Sequence, residues 1–454
     1  RENGRNYIGG IKTHESAGPG YCALFYDPTE PIYGPDGRYS ESAELTINHP
    51  LAMLYGITSR SETNRMFGNM TLDYKIFSDL SAKVNVGFDN QAMRRDVYNS
   101  SITIRGNAAN GYANIAELDR SNILFEYTMN YSKKLSDNQI VNVLGGVTYQ
   151  NFIRRNFSAG TSGFPSDDLI TDNLGLGSKA NNVVTSEKEK NTLLSYLFRV
   201  NYSLHNFLLT GSVRADGSSR FGANNKYGYF PSFALGWKLS DENFIPEFFN
   251  TLKARASWGI TGNQEIDNYL SLTTYTTGGT AILNGTPFTG TAPSRLSNPD
   301  LKWESTEQLN FGIDFGIFSG RINGSVDYFN KKTTDMLLDL PLPTSSGYSM
   351  IKKNVGSMKN YGIEFLINST NINRGDFSWK SSVNFSALRN EVISLGDLTS
   401  IQRGYMQVVG GNTTIIKPGS PVDSYYGYNV IGLFRDQAEI DAWVQPTAKP
   451  GYPK

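Results

Sequence analysis

The feature that most constrains this chain is a period of two that keeps charge on one side. In Phe207 to Asp216 the odd positions are Phe207, Leu209, Gly211, Val213 and Ala215. The even positions from Thr210 onward are Thr210, Ser212, Arg214 and Asp216. Such alternation puts the two sets on opposite faces of a strand. Leu194, Tyr196, Phe198, Val200 and Tyr202 alternate likewise with Ser195, Arg199, Asn201 and Ser203. Only His205-Asn206 separates the two runs, which reads as a hairpin turn.

The same pattern recurs from Met70 to Phe88, Ile123 to Tyr149, Leu309 to Tyr328 and Tyr361 to Phe385. Short turns (Ser78-Asp79, Ser136 to Asn138, Ser319-Gly320, Asn373 to Asp376) alternate with long polar stretches (Asn99 to Ser121, Ser158 to Lys190, Gln264 to Lys302, Asp335 to Ser357). The segment Glu242 to Phe249 reads as a short helix capped by Ser240 or Asp241. The pattern gives about twelve strands, each near the 9–11 residues that a tilted strand needs to cross hydrocarbon. Lys83, Asp89, Glu126, Arg199, Arg214, Lys253, Arg255, Asp314, Arg321, Asp327, Glu364 and Lys380 all fall on the polar parity. Glu307 is the exception, at the loop end of its strand. A charge facing lipid at the midplane costs about 2–4 kcal/mol, so this segregation is what a transmembrane barrel demands. A soluble β-sandwich also alternates; a propeller would add a blade repeat, which the hairpins do not share.

The chain has 454 residues, 12% aromatic, with 26 Tyr and 45 Gly, the balance of a turn-rich all-β protein. Lys plus Arg equal Asp plus Glu at 42 each, so nothing basic points to nucleic acid. No apolar run reaches the length of a membrane-spanning helix. The single cysteine, Cys22, reads as a small residue near a loop. His14, His49 and His205 are scattered without a second ligand at metal spacing, and His205 reads as a solvated turn residue. No nucleophile elbow, zinc-protease or phosphate-loop motif occurs, so neither an enzyme nor a cofactor is expected.

RADGSSRFGANNKYGYFPSFALGWKLSDENF (Arg214 to Phe244) closely resembles the signature run of SusC-like TonB-dependent outer-membrane transporters. LKARASWGITGNQ (Leu252 to Gln264), NPDLKWESTEQLNFGIDFG (Asn298 to Gly316), ALFYDPTEPIYGPDGRYS (Ala23 to Ser40) and NYGIEF (Asn360 to Phe365) are similar to the same family, in its order. The resemblance implies an antiparallel up-and-down barrel, 22-stranded in the family, of which this chain is a partial, internal piece. It implies TonB-driven import of an oligosaccharide or peptide, with a SusD-like surface lipoprotein as cap. The plug and TonB-contacting box lie outside this sequence.

We therefore expect loop region over 1–64, transmembrane hairpins over 65–390, and loop region again over 391–454. Lumen-facing binding candidates by parity are Arg199, Arg214, Arg255, Asp314 and Glu364. Residues of the family-like runs expected to be structural are Asp216, Gly217, Ser218, Arg220, Phe221, Trp258, Gly262, Asn263, Trp303 and Glu304, with Arg220 pairing Asp216. Tyr21, Phe25, Tyr26, Tyr33, Tyr39, Tyr269 and Tyr275 are loop aromatics that stack on sugar, contact a partner or pack the loops. The other readings are a surface adhesin barrel and a soluble glycan-binding β module.

Overall fold

A computed structural model of the chain describes residues 2–5, 18–40, 47–348, 350–406, 411–443 and 448–454. Short elements come first: strand β1 (Glu2–Arg5), helix α1 (Pro19–Phe25) and helix α2 (Pro50–Gly56). Two long strands follow, β2 (Ile57–Phe77) and β3 (Leu80–Asn99), then helix α3 (Ile104–Ala109). Next are β4 (Tyr112–Ser136), β5 (Gln139–Ser162), β6 (Val183–Leu204), β7 (Phe207–Ser218), β8 (Tyr227–Lys238) and β9 (Phe249–Asn263). A small hairpin, β10 (Thr274–Leu283) and β11 (Thr286–Arg295), precedes β12 (Glu304–Ile317) and β13 (Ile322–Thr334). Another, β14 (Leu337–Pro341) and β15 (Met350–Asn354), precedes β16 (Ser357–Arg374) and β17 (Phe377–Ser394). Strands β18 (Ile401–Met406), β19 (Gly411–Ile416) and β20 (Ser424–Tyr425) form a side sheet before helix α4 (Gln437–Asp441).

One antiparallel sheet takes β1 to β9, then β12, β13, β16 and β17, each strand beside its neighbour in sequence. Twelve of these thirteen are the long strands that the alternation predicts. The register makes the two faces explicit. Leu72, Val84, Tyr127, Val147, Tyr196, Ala215 and Tyr229 stand side by side on seven successive strands. Leu235, Ala256, Phe311, Tyr328, Ile363 and Ala387 continue an uncharged row on the same face. This apolar face is bare: Met70 is 75% exposed and Phe385 62%. A sheet face this apolar and this open is a lipid-facing wall. Buried apolar clusters sit elsewhere, among the long loops at one end of the sheet.

Tight turns close the other end. Leu204 pairs with Phe207 across His205, which is exposed and left-handed at φ 51°. Phe377 pairs with Arg374 across Gly375, at φ 55°. By the barrel convention, this short-turn end is periplasmic and the long-loop end extracellular.

Several expectations change. β1 and the start of β2 at Ile57 lie inside the stretch read as loop to Asn64, and β4 reaches back to Tyr112 and β5 on to Ser162. In these extensions both faces are polar, so parity gives no signal. The long Gln264–Lys302 and Asp335–Ser357 stretches contain paired hairpins, and the tail beyond Glu391 holds the β18–β20 sheet. Glu242 to Phe249 is not a helix; a single helical turn at Leu239–Asp241 precedes it. There Glu242 accepts hydrogen bonds from Trp237 Nε1 (2.9 Å) and Asn206 Nδ2 (3.1 Å), pinning the turn to β7 and β8 instead. Cys22 lies in the short helix α1 among the loops, buried against Ile47 and Met53.

Candidate functional site in the lumen wall

The face opposite the lipid row is the lumen wall, and the charges picked by parity fall into two groups on it. Arg255, on β9, donates from Nε and Nη2 to both carboxylate oxygens of Asp314 (2.9 and 2.8 Å), and from Nη2 to Asp327 on β13 (2.8 Å). Its arm crosses β12 at Gly312, which stands opposite both Arg255 and Asp327. A Cβ there would lie 2.3 Å from the Asp327 oxygen and 2.8 Å from the guanidinium carbon. Glycine at this position is what lets one cation bridge three strands.

Arg214 belongs to a second group, donating to Asp216 (2.6 Å) and to buried Ser195 Oγ (3.0 Å). Arg199 is exposed opposite Ser212, and Glu364 is exposed opposite Asp327. Of the five parity candidates, only Arg255 and Asp314 touch. Glu364 flanks that pair through Asp327, and Arg199 lies diagonally across the β6–β7 ladder from Arg214, so the five divide between two places and do not form one pocket.

A recess of about 340 Å³ on the same face was not among the candidates. Phe67, Phe152, Asn122, Gln150 and the Arg65–Asp89 pair line it. Arg65 donates from Nε and Nη2 to the two Asp89 oxygens, both at 2.8 Å, a bidentate pair. Phe67 is 74% exposed. Ring, amide and paired charge together suit a polar solute with an apolar face. The signal in the sequence is Arg65 sharing the parity of Asp73 and Lys75, at a position before Met70, where the clear alternation begins.

The family-like runs converge on a different place, a small core at the extracellular ends of β7 to β12. Phe221, Ile266, Leu270, Leu301 and Trp303 are buried together. The Trp303 ring lies 5.1 Å from Phe221 and 5.3 Å from Phe230, and its Nε1 donates to the Lys226 carbonyl (2.9 Å). Gly262 and Gly217 make room: a Cβ would meet the Phe230 ring at 2.1 Å in the first case and the Tyr227 ring at 2.6 Å in the second. Ser218 accepts from the Arg220 N–H (3.2 Å), and Asn263 donates to Glu304 (3.3 Å), its partner in register. The expected Arg220–Asp216 pair is absent. Arg214, two residues from Asp216 and on its face, takes that carboxylate, while Arg220 lies past the strand and reaches Gln264 O (2.9 Å) and Glu265 (3.2 Å). Trp258 faces outward and donates to Glu307 (2.8 Å), so an indole caps this outward carboxylate.

The loop aromatics mostly bind each other. His49 caps α2 by accepting from Leu51 N (3.2 Å), and it contacts the Tyr26 and Tyr39 rings at 4.8 and 5.2 Å. Burial holds its pKa below the ordinary imidazole range. Tyr269 accepts from Lys190 N (2.9 Å), while Tyr275 is 69% exposed. His14 and the Tyr21 side chain lie outside the described residues. Asp167 organises another loop junction, accepting from Tyr98 Oη (2.6 Å), Ser100 Oγ (2.9 Å), and Ser101 Oγ (2.7 Å) and N (3.1 Å). Burial pushes its carboxyl pKa up, but these donors outweigh it and hold the group below the usual range.

The family model for the TonB-dependent receptor-like β-barrel matches residues 21–422. This chain belongs to that family. TonB-dependent receptor P26 of Formosa agariphila is 32% identical over 423 residues, covering 91% of this chain and 43% of that protein. TonB-dependent receptor SusC of Bacteroides thetaiotaomicron is 32% identical over 447 residues, 90% of this chain and 44% of its own length. The solved structure of the RagAB peptide transporter superposes with a TM-score of 0.77 at 25% identity, covering 89% of this chain and 45% of that one. The chain thus spans less than half the length of these relatives. The family consists of outer-membrane β-barrel receptors and transporters rather than enzymes, and the outer membrane is where this barrel wall belongs.

Proposed function

We propose that this chain is part of the barrel wall and loops of a TonB-dependent importer that moves an oligosaccharide or a peptide across the outer membrane. The observation carrying this reading is the two-sided wall: an uncharged outward row across successive strands, backed by a polar inward face with ion pairs and the Phe67–Phe152 recess. The inward residues Arg199, Arg214, Arg255, Asp314 and Glu364, with Arg65, Phe67 and Asp89, are the candidates to touch the solute during passage. Few of them are free charges, which suits a neutral or zwitterionic solute better than a polyanion. A SusD-like lipoprotein closing the extracellular side and energy delivered by TonB through the rest of the protein complete the proposal. SusC among the relatives, and the peptide transporter among the solved structures, support this class of cargo.

The test is uptake of fluorescent oligosaccharides and peptides by cells carrying or lacking the full-length parent. We expect uptake of one class that is lost on deletion and on collapse of the inner-membrane proton gradient. Binding to the cell surface without energy-dependent uptake would favour the adhesin reading and overturn transport. The soluble glycan-binding module is set aside, since the chain belongs to a membrane-barrel family.

A further inference from the structure

Above the apolar band, the lipid-facing parity of β5 and β6 turns basic. Tyr149 and Leu194 pair on this face, then Asn151 and Thr192, then Ile153 and Lys190, then Arg155 and Lys188. Within two pairs the wall passes from apolar through amide and hydroxyl to three cations. Arg155, Lys188 and Lys190 are exposed, and among the described residues none has an ion-pair partner. Asp119, opposite Arg155 on β4, and Glu117, opposite Phe157, bound the patch on one side, and Tyr269, whose hydroxyl accepts from Lys190 N (2.9 Å), bounds it on the other.

These charges do not face the lumen. Their inward neighbours Arg154 and Glu189 make their own contact at 3.9 Å. They also do not face water alone, because they continue directly from rows that contact acyl chains. Cations at this height meet the headgroups of the outer leaflet, where each Lys or Arg near an anionic surface strengthens binding about fivefold. A guanidinium beside two ammonium groups fits a phosphate monoester, with the guanidinium as bidentate donor and the lysines as point charges.

We propose that Arg155, Lys188 and Lys190 form an outward-facing site for the phosphate of an anionic outer-leaflet glycolipid, which fastens this part of the barrel to its membrane. The site is separate from the lumen and does not depend on what the protein transports.

The experiment uses the purified full-length parent in phosphatidylcholine nanodiscs that carry monophosphoryl lipid A, the same lipid with its phosphate removed, or neither. Lipid retained through detergent extraction is counted by native mass spectrometry. Wild type is expected to retain the phosphorylated lipid. The joint variant Arg155→Gln, Lys188→Gln, Lys190→Gln is expected to retain it about a hundredfold less tightly, from three charges lost. An Arg120→Gln, Arg154→Gln control, on the opposite face of the sheet, is expected to match wild type. Should the joint variant fail to give a heat-shifting band, Lys188→Gln alone is expected to weaken retention about fivefold. Equal retention by variant and wild type, or of the lipid with and without phosphate, would overturn the site. Complete displacement by excess inorganic phosphate would overturn the lipid assignment in favour of a free-anion site.

Discussion

Strands β2 to β6 and strands β7 to β9, β12 and β13 of the same wall leave the membrane in different ways. The first five run 20 to 25 residues, whereas β7, β8, β9, β12 and β13 run 12 to 15. Crossing the hydrocarbon takes about 9–11 residues. The short strands therefore stop near the bilayer surface, and their loops bury Phe221, Leu301 and Trp303 in a core of their own. The long strands keep pairing above it: Arg94 opposes Glu117 and Asp119 opposes Arg155 on the outward face, where lipid would not tolerate them. Backbone groups are satisfied in both regions, by loop packing in one and by the ladder itself in the other. A wall can be extended outward by hydrogen bonding alone, and it needs a hydrophobic core only where it stops pairing.

The sharpest way to break this contrast is to remove the core beneath the short strands. Trp303→Ala is expected to cost the loop cap about 3–5 kcal/mol, read as rapid proteolysis within 264–302 while the heat-shifting barrel band survives. If the cap resists protease unchanged, its order comes from elsewhere. A lipid-facing charge tests the band. Phe233→Arg, outward and 52% exposed on β8, is expected to cost about 2–4 kcal/mol in urea unfolding from vesicles. Phe157→Lys, on the outward face of the β5 extension, is expected to stay within about 0.5 kcal/mol. Equal costs would mean that the extension is also in lipid.

Within the lumen, Gly312→Val is expected to push Arg255 from Asp327 and cost about 1–3 kcal/mol by overpacking. The same unfolding assay checks it, with Ser325→Val, half-buried on the same face and opposite Asp314 in register, as the mild comparison. The smallest effect belongs to the extension's loop junction. Asp167→Asn is expected to cost about 1 kcal/mol, because the amide still accepts some of the hydrogen bonds. With its folded pKa depressed, the carboxylate's contribution is present above the ordinary value of about 4 and is lost as pH falls through the folded value. Protection of the Ser100 and Ser101 amides, taken relative to intrinsic exchange at each pH, should therefore fall on acidification in wild type and change little with pH in the variant.

Much of the wall was legible in advance, because lipid imposes a rule on every second residue. Leu194 to Tyr202 and Phe207 to Ala215 could be assigned to one face without any partner in view. The rule ends where lipid ends. Ile57 to Asn64 and Lys188 to Lys190 are strand, yet each puts charge on the parity that stays uncharged in lipid, and so each reads as loop. The candidate site was legible only in part. Arg255 and Asp314 were picked by parity, but parity says which face a side chain takes and nothing about which strand lies next to it. Arg65 and Asp89 are 24 positions apart and meet only through the β2–β3 register.

The sequence by itself determined the class of solvent on each side of the wall, since an alternating pattern free of charge on one parity has no low-energy alternative in lipid. It also determined which turns are tight, through His205-Asn206 and Gly375-Asp376. Only the tertiary structure decided the pairings that reach across strands: Arg255 over Gly312 to Asp327, Arg220 to Gln264 and Glu265 in place of Asp216, and Asp167 to the Tyr98–Ser101 turn. Polar partners within a few ångströms are set by register and loop closure, and neither leaves a period in the chain for the sequence to display.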